Sequence, residues 1–165
     1  MSTIRVVWGS ATGPTATASY DGALAAANVH NYNLITVSSV VPAEPSVERA
    51  GTAPDLGPTG NALTVVQGRA TVEPGSDDPA VAGIGWLRST SGRGLFYEAS
   101  GTDREAVRRR IQDGLDAGAD LRDWEFESDA TIQLETARPD PGGYTTAVVV
   151  AAYGRSRSLL DDHQH

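Results

Sequence analysis

Apolar positions along the chain fall into two kinds of pattern. Crowded runs rich in β-branched side chains predict strands at Ile4–Trp8, Leu34–Val41, Ala80–Arg88, Gly94–Ala99 and Tyr144–Tyr153. Asn61–Glu73 partly alternates, as a strand with one buried face does, and Trp124–Ala137 reads as a further strand. The second pattern recurs at every fourth residue. Val107, Ile111 and Leu115 share one face of a helix in T-D-R-E-A-V-R-R-R-I-Q-D-G-L-D-A-G, with Thr102 and Glu105 as a capping box and Gly118 as its stop. Arg108, Arg109 and Arg110 fall on its solvated side. A shorter helix is expected over Tyr20–Asn28, starting from Ser19 or Asp21.

Turn-forming residues separate these runs. Gly9–Thr15 is rich in Gly, Ser, Thr and Pro and reads as a turn; without G-K-[ST] it is no phosphate loop. Glu44–Gly60 reads as an extended Pro/Gly loop, long enough to suggest a functional or interface role. R-P-D-P-G-G turns between the last two strands, and the tail 155–165 is expected to fray. The order is β-α-β, a β-rich centre, one long helix, then β-β. Strands segregated from two main helices predict a single α+β layered domain, and 165 residues suffice for its core.

Composition narrows the chemistry. Thirteen basic against 21 acidic residues leave a net charge of −8, which argues against nucleic acid or an anionic membrane as partner. All the basic residues are arginine; lysine is absent, so no lysine can hold pyridoxal phosphate. Such an acidic, lysine-free surface suits a salt-rich, halophilic cytosol, where screening removes carboxylate repulsion. Cysteine is absent too, no run approaches a membrane span, and MSTIRVVW has no signal-peptide core, so a cytoplasmic protein is expected. His30, His163 and His165 are the only histidines, and no metal site is expected from them. Nothing like G-x-S-x-G surrounds a serine, and only His30 could serve a triad.

The serine pair in N-L-I-T-V-S-S-V-V-P admits two readings. Ser38 and Ser39 could cap backbone groups at a strand end. Alternatively, the Ser39 hydroxyl lies one short ring from the Ser38 carbonyl carbon, so strain and an oxyanion donor would let the peptide shift to an ester. Elimination then frees a segment ending at Ser38 and leaves dehydroalanine at 39. Hydrolysis with loss of ammonia turns that into a pyruvoyl group, a built-in ketone. Glu98 and Asp21 also have plain readings, as a surface carboxylate at a strand end and a helix-start residue.

The block Y-D-G-A-L-A-A-A-N-V-H-N-Y-N-L-I-T-V-S-S-V-V-P-A-E, residues 20–44, resembles the signature of the archaeal-type pyruvoyl-dependent arginine decarboxylases. The resemblance continues through G-L-F-Y-E-A-S-G and A-G-A-D-L-R-D-W-E and covers most of the chain. It implies an αββα sandwich, self-cleaved between Ser38 and Ser39 into fragments 1–38 and 39–165. It implies a covalent pyruvoyl cofactor from Ser39, with neither pyridoxal phosphate nor metal. It further implies a homotrimer, sometimes paired into hexamers, with sites between subunits. By matching positions, Asn33 supports processing and catalysis, and Glu98 reprotonates the substrate carbon. Asp21 takes the guanidinium of L-arginine, Leu24 lines the same pocket, and the freed Ser38 carboxylate lies in the site. The chain departs from the pattern at Ala43, where a second proline is usual, in its Pro/Gly-rich 44–60 loop, and in lacking scattered lysines.

The implied activity is decarboxylation of L-arginine to agmatine, a step of polyamine biosynthesis. Two alternatives stay open: the same chemistry on another amino acid, such as aspartate or histidine, and an uncleaved, non-catalytic trimeric binding domain.

Overall fold

The computed structural model describes residues 2–127 and 129–160. Its strands are β1 (Thr3–Gly13), β2 (Asn33–Thr36), β3 (Val40–Val41), β4 (Ser46–Gly51), β5 (Ala62–Val72), β6 (Ala80–Arg88), β7 (Gly94–Gly101), β8 (Thr131–Ala137) and β9 (Tyr144–Tyr153). Helix α1 spans Ala16–Ala26 and α2 spans Arg104–Asp120. One sheet runs β2-β5-β9-β1-β4 and the other β3-β7-β6-β8. Three apolar clusters define four layers, α/β/β/α. Ile4, Val6, Val66, Ile84, Phe96 and Val149 pack between the sheets. Ala23, Leu24, Val65 and Val150 pack under α1, and Val107, Ile111, Leu115 and Leu134 under α2.

The alternation of side chains along each strand explains this layering. In β9 Val149 and Ala151 face the sister sheet while Val148 and Val150 face α1, so both faces are buried and the strand reads as continuously apolar. Helix α2 has a single buried stripe, Val107-Ile111-Leu115, at the expected spacing.

Several expectations change. Leu34–Val41 is not one strand: pairing with β5 ends at Thr36, and Val40–Val41 pairs with β7 in the other sheet, so Val37–Ser39 bridge the two sheets. Gly9–Gly13 belongs to β1, not a turn. A Cβ at Gly9 would stand only 2.8 Å from the Ala26 Cβ, so the glycine serves the close approach of α1. That helix starts at Ala16, capped by the Thr15 hydroxyl on Ala18 N–H, which puts Asp21 mid-helix. The 44–60 loop contains β4, parallel to β1. Asp103, not Thr102, caps α2 through Glu105 N–H, and the helix runs on past Gly118. Only Thr131–Ala137 of the expected Trp124–Ala137 strand forms β8, with Phe126 making an isolated bridge to Ser89. The tail is tied down through Arg157, which exchanges both backbone bonds with Ala62, and Ser156, which bonds Leu56. Its histidines, His163 and His165, lie outside the described residues.

The far edge of the sandwich is closed by Arg49 of β4. Its guanidinium donates to the buried Gln133 of β8 at 2.6 and 3.1 Å. The near edge, β2 over β3, is where the serine pair crosses. Among the described residues no helix is long and apolar enough to cross a membrane.

Candidate active site

Crossing from one sheet to the other forces the backbone at Ser38–Ser39 out of ladder pairing. Val37 N–H still donates to Val65 of the first sheet (2.9 Å), while the Ser39 carbonyl already accepts from Phe96 N–H of the second (2.8 Å). Between them the Val40 N–H donates back to the Ser38 carbonyl at 3.0 Å, closing a three-residue turn centred on Ser39. The Ser39 hydroxyl donates to Glu98 Oε2 at 3.3 Å. Glu98 reaches it because β7 lies beside β3 and places Glu98 two residues beyond Phe96, on the same face.

This arrangement combines three chemical requirements on one peptide bond. The Ser39 hydroxyl is bonded to a carboxylate, the Ser38 carbonyl carries a backbone donor, and the bond between the two residues sits in a tight turn. Two further side chains hold the segment. The Tyr153 hydroxyl donates to the Val40 carbonyl at 3.0 Å. Arg88 reaches the carbonyls of Pro42, Ala43 and Pro45, fixing the chain just after β3. A cavity of about 360 Å³ opens beside the serines, lined among others by Tyr97, Leu121 and Arg122.

The remaining candidates gather elsewhere. Asp21, Leu24 and Asn33 line one cavity of about 590 Å³ under α1, with Tyr20, His30 and Gln67. Leu24 is buried and forms its floor, whereas Asp21 is exposed at its rim. Tyr20 donates to Gln67 Oε1 at 2.7 Å, and Arg69 stacks on the Tyr20 ring. The Asn33 amide donates to the Gly60 carbonyl at 2.8 Å, so its hydrogen bond goes to a loop and not to the serine pair. Within one chain the structure therefore joins Ser39 to Glu98 by a hydrogen bond and gathers Asp21, Leu24 and Asn33; Ser38 and Ser39 line one cavity, the second group lines another, and Glu98 lines neither.

Comparison with known proteins gives the family. Residues 3–158 match the family described as pyruvoyl-dependent arginine decarboxylase. The chain belongs to that family. It is 49% identical over 163 residues to a pyruvoyl-dependent arginine decarboxylase of Halobacterium salinarum, covering 98% of this chain and 99% of the relative. A protein of the same description from Pyrococcus furiosus is 32% identical over 87% of this chain and 91% of its own length. One from Methanocaldococcus jannaschii is 28% identical, over 81% and 80% respectively.

Membership in the pyruvoyl-dependent decarboxylases implies a pyruvoyl cofactor, and the residues around Ser39 fit one. Phe96 N–H already holds the carbonyl that such a group would carry as its amide, and Glu98 stands at the position-39 side chain. Sequence reading missed Tyr153 and Arg88. Their sequence signal is nil, because both act on backbone carbonyls distant in sequence, of Val40 for Tyr153 and of Pro42, Ala43 and Pro45 for Arg88.

Proposed function

We propose that the chain cleaves itself between Ser38 and Ser39 and then decarboxylates L-arginine to agmatine and CO2. The observation that carries this reading is the turn at Ser39, where the Ser39 hydroxyl is bonded to Glu98 and the preceding Ser38 carbonyl is held by Val40 N–H. Cleavage yields fragments 1–38 and 39–165, the second beginning with the pyruvoyl group derived from Ser39. Once formed, that group supplies a ketone able to accept the electrons left behind by departing CO2.

The other roles belong to the chain's own side chains. In the uncleaved protein Glu98 orients the Ser39 hydroxyl; in the cleaved enzyme the same carboxyl lies beside position 39 and delivers a proton to the substrate carbon. Asp21 takes the guanidinium as a two-pronged hydrogen-bond partner, and Leu24 packs on the substrate's methylenes. Asn33 supports the processing segment, and the freed Ser38 carboxylate stays in the site. No metal takes part.

Because Asp21 and Ser39 line different cavities, the working site is assembled between subunits of a homotrimer, in which one chain's α1 cavity meets the serine edge of the next. Three apolar side chains on that edge, Ile35 (41% exposed), Val37 (37%) and Val40 (46%), suit burial against a second copy. Such trimers pair into hexamers only if a further face is buried, so the trimer is the unit of function. The enzyme works in the cytoplasm, on a free amino acid.

Purified protein incubated with arginine, ornithine, aspartate and histidine tests the reading: CO2 release with arginine alone is expected, and preference for aspartate would overturn Asp21's role. Co-expression of an Asp21→Asn chain with a Ser39→Ala chain tests the shared site. Roughly a quarter of wild-type activity should return, the share of interfaces that join two intact halves by chance. No recovery would place the whole site within one subunit.

A further inference from the structure

Strand β3 is only two residues long and begins one residue after the bond that self-cleavage breaks. So short a pairing with β7 is a weak restraint on the turn before it. The hydrogen bonds around the turn supply the rest. The peptide unit joining Ser39 to Val40 is held at its carbonyl by Phe96 N–H, and it presents its own N–H to the Ser38 carbonyl oxygen. The following unit, Val40–Val41, is held at its carbonyl by the Tyr153 hydroxyl. The Tyr153 ring stands edge-on to Phe96, 6.0 Å between centroids, so one aromatic pair braces both units. Tyr153 ends β9 in the opposite sheet, and its bond therefore also ties the two sheets together where the chain crosses.

We propose that Tyr153 is a positioning residue for self-cleavage, fixing the Val40 carbonyl so that the Val40 N–H stays aimed at the Ser38 carbonyl oxygen. The proposal rests on the self-cleavage reading above. In the first step a bond forms from Ser39 Oγ to the Ser38 carbonyl carbon. The bond from that carbon to the Ser39 nitrogen breaks, and the hydroxyl proton ends on that nitrogen as the amine leaves. Between these events the Ser38 oxygen carries negative charge, and Val40 N–H is the donor already on it. A turn free to swing would lose that donor for part of the time, slowing the step without disturbing the core. Burial, with the Glu98 carboxylate adding to it, pushes the Tyr153 phenol up to about 12, so the hydroxyl remains a donor throughout the physiological range.

Tyr153→Phe keeps the ring against Phe96 and removes only the hydroxyl. The full-length chain, freshly translated, is followed by intact mass as it converts to fragments 1–38 and 39–165, with and without hydroxylamine to capture the ester. Melting is compared in a Ser39→Ala background, where no cleavage intervenes. The variant should convert about tenfold more slowly, the scale of one lost hydrogen bond, with a matching fall in captured ester, while the Ser39→Ala pair differs in melting temperature by only about 1–6 °C. Equal conversion rates, ester building up in the variant, or a Ser39→Ala pair in which the Tyr153→Phe chain is already unfolded at the assay temperature would each overturn the role while leaving the self-cleavage reading intact. A wild-type chain that never converts would instead bring down that reading, and this role with it.

Discussion

Glu98 meets Ser39 through a single hydrogen bond, and the two proposed duties of that carboxyl separate by chemistry. Orienting the hydroxyl needs only an acceptor, which a glutamine also provides. Delivering a proton to carbon needs a titratable group. Glu98→Gln should therefore still yield both fragments by intact mass, yet lose turnover by about 10²–10⁴-fold in CO2 release. A variant with normal turnover would remove Glu98 from the role. At this scale the sequence shows chemistry between neighbours in the chain, such as the proposed attack of Ser39 on Ser38. Glu98 had only the family resemblance to single it out, since from spacing alone it was a carboxylate at a strand end. Tyr153 and Arg88 were not legible at all: each acts on main-chain carbonyls distant in sequence, and no residue pattern announces such a partner.

Among the elements, periodic apolar segments were read correctly and punctuation was misread. Strands β6 and β9 and the buried stripe of α2 fall where the pattern placed them, because burial on both faces or along one stripe leaves a strong signal. Gly9 and Gly13 looked like turn residues, but they are flat patches on which α1 lies. The break between β2 and β3 was hidden because β-branched residues continue through Val37, while the change of sheet is set by tertiary pairing. Gly68 plays a comparable part between the sheets. A Cβ there would lie 2.7 Å from the Gly83 carbonyl oxygen and 3.2 Å from that of Ala99, next to Glu98. Gly68→Ala should thus force the sheets apart and lower the melting temperature by roughly 2–12 °C, from an overpacking cost of about 1–3 kcal/mol. An unchanged melting temperature would mean that the sheets part freely at this point.

Over the whole molecule, two features go together: an acidic, lysine-free composition and candidate site residues that line two separate cavities. The net charge of −8 opposes compaction and subunit association alike, and molar salt shortens the reach of that repulsion to about 3 Å. Melting temperature should accordingly rise from low salt to molar KCl, and equal stability across the series would contradict an adaptation to salt. The layered α+β class was legible from the order of elements, and the resemblance implied sites between subunits, whereas the separate cavities lined by Asp21 and by Ser39 were not legible, since no sequence pattern shows which cavity a residue will line. The central claim is that Ser39 does not survive as serine. Intact mass of the purified protein tests it most directly: the account predicts fragments 1–38 and 39–165, the second with a ketone in place of its amino terminus, and a single uncleaved chain of 165 residues would contradict it.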